Sequence, residues 1–106
     1  MKIVVTGIGI ISAIGCNKQE TLASIQAERS GVGAMRYLQS IHTHLPVGEV
    51  KMTDEALREA LNIPSHIAVG RTTLLGLAAA REALHDADIN DVSDMAFISG
   101  TTVGGM

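Results

Sequence analysis

Apolar and polar positions change rhythm several times along this chain of 106 residues, and each change predicts an element. Lys2 to Thr6 is a β-branched run with little alternation, the pattern of a strand buried on both faces of a parallel sheet. The overlapping stretch "VVTGIGIISAIG", Val4 to Gly15, sets a glycine every few residues inside an apolar run. "NKQETLASIQAERSG" then carries its own start and stop signals. Asn17 accepts from the N–H groups of the next turn, Glu20 completes a capping-box-like pair, and Ser30-Gly31 stops the run. The spacing predicts a helix over about residues 18–28, with Leu22, Ala23, Ile25 and Ala27 as its apolar side.

Between Gly31 and Val50 the periodicity breaks, and the alternation of Leu45, Val47 and Val50 predicts a short irregular or hairpin-like edge segment, a surface excursion outside the core. "MTDEALREALNIP" predicts a helix of about two turns, with Thr53 as N-cap, Asp54 and Glu55 in the first turn and Pro64 beyond the end. "GRTTLLGLAAAREALHDADI" is the longest helical signal. Its small residues, Gly76, Ala78, Ala79, Ala80 and Ala83, would let a neighbour approach closely, so it predicts a buried central helix. "DMAFISG" reads as a second buried strand and runs into the turn "GTTVGG". Strand, helix, excursion, helix and strand in that order imply an α/β unit, with two parallel strands joined by a right-handed crossover. Two such strands alone leave sheet edges unpaired, so further chain or another subunit is expected to cover them.

Composition narrows the function classes. Apolar residues make up 46% of a chain the size of one small domain, a high share for so much surface. Eight Lys plus Arg against 11 Asp plus Glu give a net charge of −3 with no basic stripe, which argues against a nucleic-acid partner. The apolar runs are broken well short of the roughly 20 residues a bilayer demands, so no membrane span is expected. Lys2 followed directly by a β-branched run does not read as a signal peptide, and the expected location is the cytoplasm.

Several residues invite chemistry. Gly7 and Gly9 suggest a dinucleotide fingerprint, but Ser12 stands where its third glycine belongs, and no acidic residue ends a second strand about 20 residues on. Cys16 lies ahead of a helix N-terminus, where a thiolate would be favoured, yet no histidine is near in sequence and a small residue at a turn is the simpler reading. His42 and His44, with Glu49 as a third donor, would make only a weak metal site, and none is expected. His66 and His85 flank the long helix as surface or helix-end residues. Asp86, Asp88, Asp91 and Asp94 lack the glycine and terminal glutamate of a calcium loop and read as a solvated turn. "GTTVGG" is the stronger candidate, because ligands of α/β folds bind at the carboxyl ends of strands and glycines there admit close approach.

Taken together, "VVTGIGIISAIG", "ERSGVG", "AAAREALHDADI" and "FISGTTVGGM" resemble the N-terminal portion of the elongating β-ketoacyl-[acyl-carrier-protein] synthases of the thiolase superfamily. Thr6, Gly7, Gly9, Ser12 and Gly15 fit the family's T-G-x-G-x-x-S-x-x-G opening. Ser30-Gly31 fits its S-G after the first helix, and Gly100, Gly104 and Gly105 fit its G-S-G-x-G-G turn. The resemblance covers essentially all of residues 1–106 as one unit and implies the N-terminal part of the first βαβαβαββ half of a thiolase-like α/β fold. It implies a decarboxylative condensation of an acyl thioester with malonyl-acyl carrier protein, without a cofactor, by a cysteine nucleophile and two histidines that stabilise oxyanion charge. No residue of this chain matches those three, so the catalytic residues are expected downstream of Met106 and this segment alone is expected to be inactive. By the resemblance, Thr102, Val103 and Gly104 fall on a wall of the family's acyl pocket near the dimer partner, with Thr102 replacing a usual glycine and so expected to narrow or reshape that pocket. Gly70 and Thr72 replace the Asp and Phe that commonly bracket the position of Arg71, and Asp88 replaces a glycine at the end of the long helix. The implied partners are acyl carrier protein and a second synthase subunit, in a homodimer or a heterodimer. A non-catalytic chain-length-determining subunit would share the same pattern. A nucleotide-binding module and an independent interaction domain are the readings from other classes.

Overall fold

A computed structural model describes residues 1–104, so Gly105 of the expected turn and Met106 lie outside the described residues. Three helices form: α1, Lys18–Gln26; α2, Asp54–Leu61; and α3, Arg71–Asp86. All three begin where the sequence signals them. The Asn17 side chain accepts from the Glu20 N–H at 2.8 Å, and the Glu20 carboxylate reaches back to the N–H of Cys16 at 2.7 Å, one residue before the N-cap. Thr53 caps α2 through the Ala56 N–H at 3.1 Å. Gly70 begins α3 with no side-chain cap.

The three helices also end alike. Glu28, Asn62 and Asp88 take φ values of 53°, 55° and 55°, the left-handed conformation that closes a helix. After α1, Glu28 N–H reaches the Ile25 carbonyl at 3.1 Å and Arg29 N–H the Ser24 carbonyl at 2.9 Å, a Schellman pairing that ends the helix before Ser30-Gly31. Asp88 stands where the resemblance expects glycine, and a short polar side chain tolerates this backbone better than most.

The side that α1 turns inward differs from the expected one. Leu22 and Ile25 are more than half exposed, whereas Thr21 and Ser24 are buried. The Ser24 hydroxyl donates to the Ile14 carbonyl at 2.6 Å and the Thr21 hydroxyl to the Asn17 carbonyl at 2.8 Å. Small polar side chains that hydrogen-bond the preceding turn let the helix sit directly on Gly15, where a Cβ would lie 2.5 Å from the Thr21 nitrogen.

α2 packs on α3 around the fully buried Leu57 and Leu74. The Arg71 guanidinium joins the two helix starts, donating to the Asp54 carboxylate at 2.6 Å and to the Val50 carbonyl at 3.1 Å. Arg58 organises the connection between them through the carbonyls of Ile67 at 2.8 Å and Val69 at 3.2 Å. α3 is central in that other segments attach to it. Among its described residues only Leu74 is buried, so the expectation of a wholly buried helix does not hold.

The opening glycines lie flat on α3. A Cβ on Gly7 would strike the Ala83 carbonyl oxygen and come within 2.7 Å of the Ala87 Cβ; one on Gly9 would strike the Ala79 carbonyl oxygen and reach 2.7 Å from the Ala83 nitrogen. The alanines on the helix are small for the same reason. Two carboxylates one helical turn apart fasten the segment: Asp86 accepts from the Ile8 N–H at 3.0 Å and Glu82 from the Ile10 N–H at 2.9 Å. Glu82 also accepts from the Lys18 N–H at 2.7 Å, and Asp86 pairs with the Lys18 ammonium.

Neither expected strand forms a ladder among the described residues, whose β pairing is limited to isolated bridges between Ser12 and Gly15 and between Gly33 and Val47. A strand exists only with a partner, and neither segment pairs with one among the described residues. The opening stretch runs along Ala79 and Ala83 of α3 and Ala87 just beyond it, while residues 95–97 border a groove with Leu77, Ala80 and Leu84. Their apolar side chains stay outside, Ile3 at 84% and Ile98 at 93% exposure. The excursion is hairpin-like as expected, with Gly33 and Val47 exchanging bonds of 3.0 and 2.8 Å. It is not confined to the surface, since it ends in the buried Glu49 and Val50. No helix among the described residues is long and apolar enough to cross a membrane.

The glycine contacts predict opposite outcomes for one substitution at two sites. Gly9→Ala, which drives a methyl into the α3 backbone, lowers unfolding stability by about 2–3 kcal/mol. Gly76→Ala, in the interior of α3 with open space around it, raises stability by about 1 kcal/mol. Urea titration followed by helical circular dichroism measures both.

Candidate functional site

Residues 100–104 form the turn to which the sequence assigned ligand contact. The Thr101 hydroxyl closes it, accepting from the Gly104 N–H at 3.1 Å and more weakly from the Val103 N–H at 3.4 Å. Gly104 takes φ of 66°, a backbone that favours glycine. Thr101 was not among the expected site residues, although a hydroxyl residue two before an apolar position and three before a glycine is a turn signal. Val103 is 60% exposed, and Thr102 is exposed beside it. The turn therefore presents two β-branched side chains, the apolar Val103 and the polar Thr102, on a tightly folded backbone, with no thiol, imidazole or carboxylate among residues 100–104.

Two open cavities lie elsewhere. A groove of about 870 Å³ runs between α2, α3 and residues 89–97, walled by apolar side chains such as Leu77, Leu84, Met95 and Phe97. A smaller one of about 390 Å³ is bordered by Cys16, Leu57, Arg81, Glu82 and His85. Thr102, Val103 and Gly104 line neither.

Cys16 and His85, far apart in sequence, both border the second cavity. This does not make a nucleophile. Burial pushes the Cys16 thiol up, and the Glu20 carboxylate adds to the effect, so the thiol keeps its proton at neutral pH. The nearby helix start offers little counterweight, because Glu20 already occupies the Cys16 N–H. Cys16 is a residue of the turn into α1.

Glu49 has a structural task in place of the metal role weighed for it. Its residue is 3% exposed, and its two oxygens accept from three consecutive backbone N–H groups, Arg36 at 2.5 Å, Tyr37 at 3.0 Å and Leu38 at 2.9 Å. Lys51 steadies the same corner by donating to the carbonyls of Gly31 at 2.9 Å and Glu49 at 3.0 Å. Burial pushes the Glu49 carboxyl up, but the three N–H groups and the Lys51 charge outweigh it and hold the group below the usual carboxylate range. The His42 and His44 rings lie 6.2 Å apart, edge to face, while the Glu49 oxygens are engaged by the N–H groups of residues 36–38. Among the described residues no three His, Cys, Asp or Glu side chains gather as a metal site would require.

Asp86, read from sequence as part of a solvated turn, is the last residue of α3 and a fastening point. The bond from Lys18, then the Ile8 N–H, hold its carboxyl below the ordinary value. Asp91 fits the turn reading, accepting from the Ser93 N–H at 2.9 Å. The nucleotide-binding alternative fails on the opening stretch itself. Gly7 and Gly9 are filled by α3, and the N–H groups of Ile8 and Ile10 that would cradle a phosphate are bound to carboxylates.

The chain is similar to 3-oxoacyl-[acyl-carrier-protein] synthase 1. It is 36% identical to the synthase of that name from Haemophilus influenzae over 95 residues, covering 83% of this chain and 21% of the relative. It is 31% identical to that from Buchnera aphidicola over 93 residues, covering 84% of this chain and 21% of the relative. The chain thus spans about a fifth of the length of these curated relatives. No family model and no solved structure matches it.

Two measurements check the electrostatics. Glu49 and Asp86 have carboxyl pKa values lowered on folding, so the stability they contribute is present above the unfolded values, about 4, and is lost as pH falls through the folded ones. The urea midpoint should fall steeply below about pH 4, and Glu49→Gln should lower it at neutral pH and flatten that acid slope. Alkylation of Cys16 by iodoacetamide should follow a pH profile displaced above that of an ordinary thiol, and Glu20→Gln should move it back down.

Proposed function

We propose that this chain is the N-terminal part of the first half of a cytoplasmic 3-oxoacyl-[acyl-carrier-protein] synthase of thiolase-like α/β fold. In that reading it supplies part of the wall that receives the acyl chain during condensation with malonyl-acyl carrier protein. The observation that carries this is the likeness to two synthases over more than four-fifths of the chain. The site is consistent with a supporting role, since Val103 and Thr102 offer apolar and β-branched surface on a hydroxyl-closed turn.

The division of labour follows from the residues present. Covalent catalysis of acyl transfer needs a thiolate, and oxyanion stabilisation needs preorganised donors. Cys16 is held as a thiol, and the described histidines are not gathered around it as a pair. In this reading the nucleophile and the two histidines are supplied by the rest of the synthase, as the resemblance implies, and the segment alone condenses nothing. Its expected companions are acyl carrier protein, acyl thioesters and a second synthase subunit, identical or related. Thr102, in place of the family's usual glycine, narrows the pocket and shortens the preferred acyl chain.

A chimera tests the reading. This chain replaces the matched 95 residues of the Haemophilus influenzae synthase, and condensation is followed as carbon dioxide released from malonyl-acyl carrier protein with acyl donors of increasing length. Retained condensation, with Thr102→Gly shifting the preference toward longer donors by about tenfold in kcat/KM (about 1.4 kcal/mol), is the expected result. A folded chimera with no condensation overturns the assignment. An unchanged chain-length profile in Thr102→Gly removes the turn from the acyl wall.

A further inference from the structure

We draw no further inference here: the strongest candidate, the open apolar groove between α2, α3 and residues 89–97, is an unpartnered face, and nothing in the structure shows what covers it.

Discussion

The close approach of the opening segment to α3 is the constraint on which the rest of the arrangement depends. Gly7 and Gly9 meet the helix backbone at Ala79 and Ala83 with no room for a side chain on one partner and little on the other. Such contact brings the Ile8 and Ile10 N–H groups within reach of Asp86 and Glu82, which would otherwise stand in solvent at the helix edge. Glu82 and Asp86 then hold Lys18 as well, through its backbone and its ammonium, and so fix where α1 begins. One seam joins the opening segment and the start of α1 to α3, which lies 64 to 78 positions further along the chain. The excursion hangs from a second and smaller fastening, the Glu49 carboxylate with its three N–H donors.

What could be read from sequence divides along the range of the interactions. Helix starts were legible because the caps are local: Asn17 with Glu20 and Thr53 with Ala56 act within one turn. Helix ends were less so. Glycine is the usual stop signal, but α1 stops on Glu28, which advertises nothing of the kind. The inward face of α1 was misjudged because hydropathy favours Leu22 and Ile25, whereas the contact demands small side chains that also hydrogen-bond, which Thr21 and Ser24 provide. Asp86 and Glu49 were read as solvent or metal residues because their N–H donors lie 78 and 11 to 13 positions away, beyond any local pattern.

Strand periodicity is the opposite case. The β-branched run at residues 2–6 and the apolar run at residues 95–98 mark a preference for extended, doubly covered backbone, but the preference is satisfied only by a neighbouring strand. Neither run has one among the described residues, and both keep their apolar side chains exposed. The turn after the second run was legible as a turn, since its glycine and hydroxyl residues act within four positions. Its use as an acyl wall came from resemblance alone. The glycines of the opening stretch were read more fully, as devices for close approach, because Ser12 broke the dinucleotide pattern and the long helix carried matching alanines.

Arg71 has a significance beyond tying two helices together. It is the first residue of α3, and its guanidinium reaches Asp54, the first residue of α2. Two helix ends of partial positive charge therefore meet at one corner around a full positive charge, an arrangement that is repulsive on its own. Asp54 balances both ends and the arginine at once, while the Val50 carbonyl takes part of the remaining field. That carboxylate is thus a counter-ion to an entire corner of the fold, set above the buried leucines on which α2 meets α3.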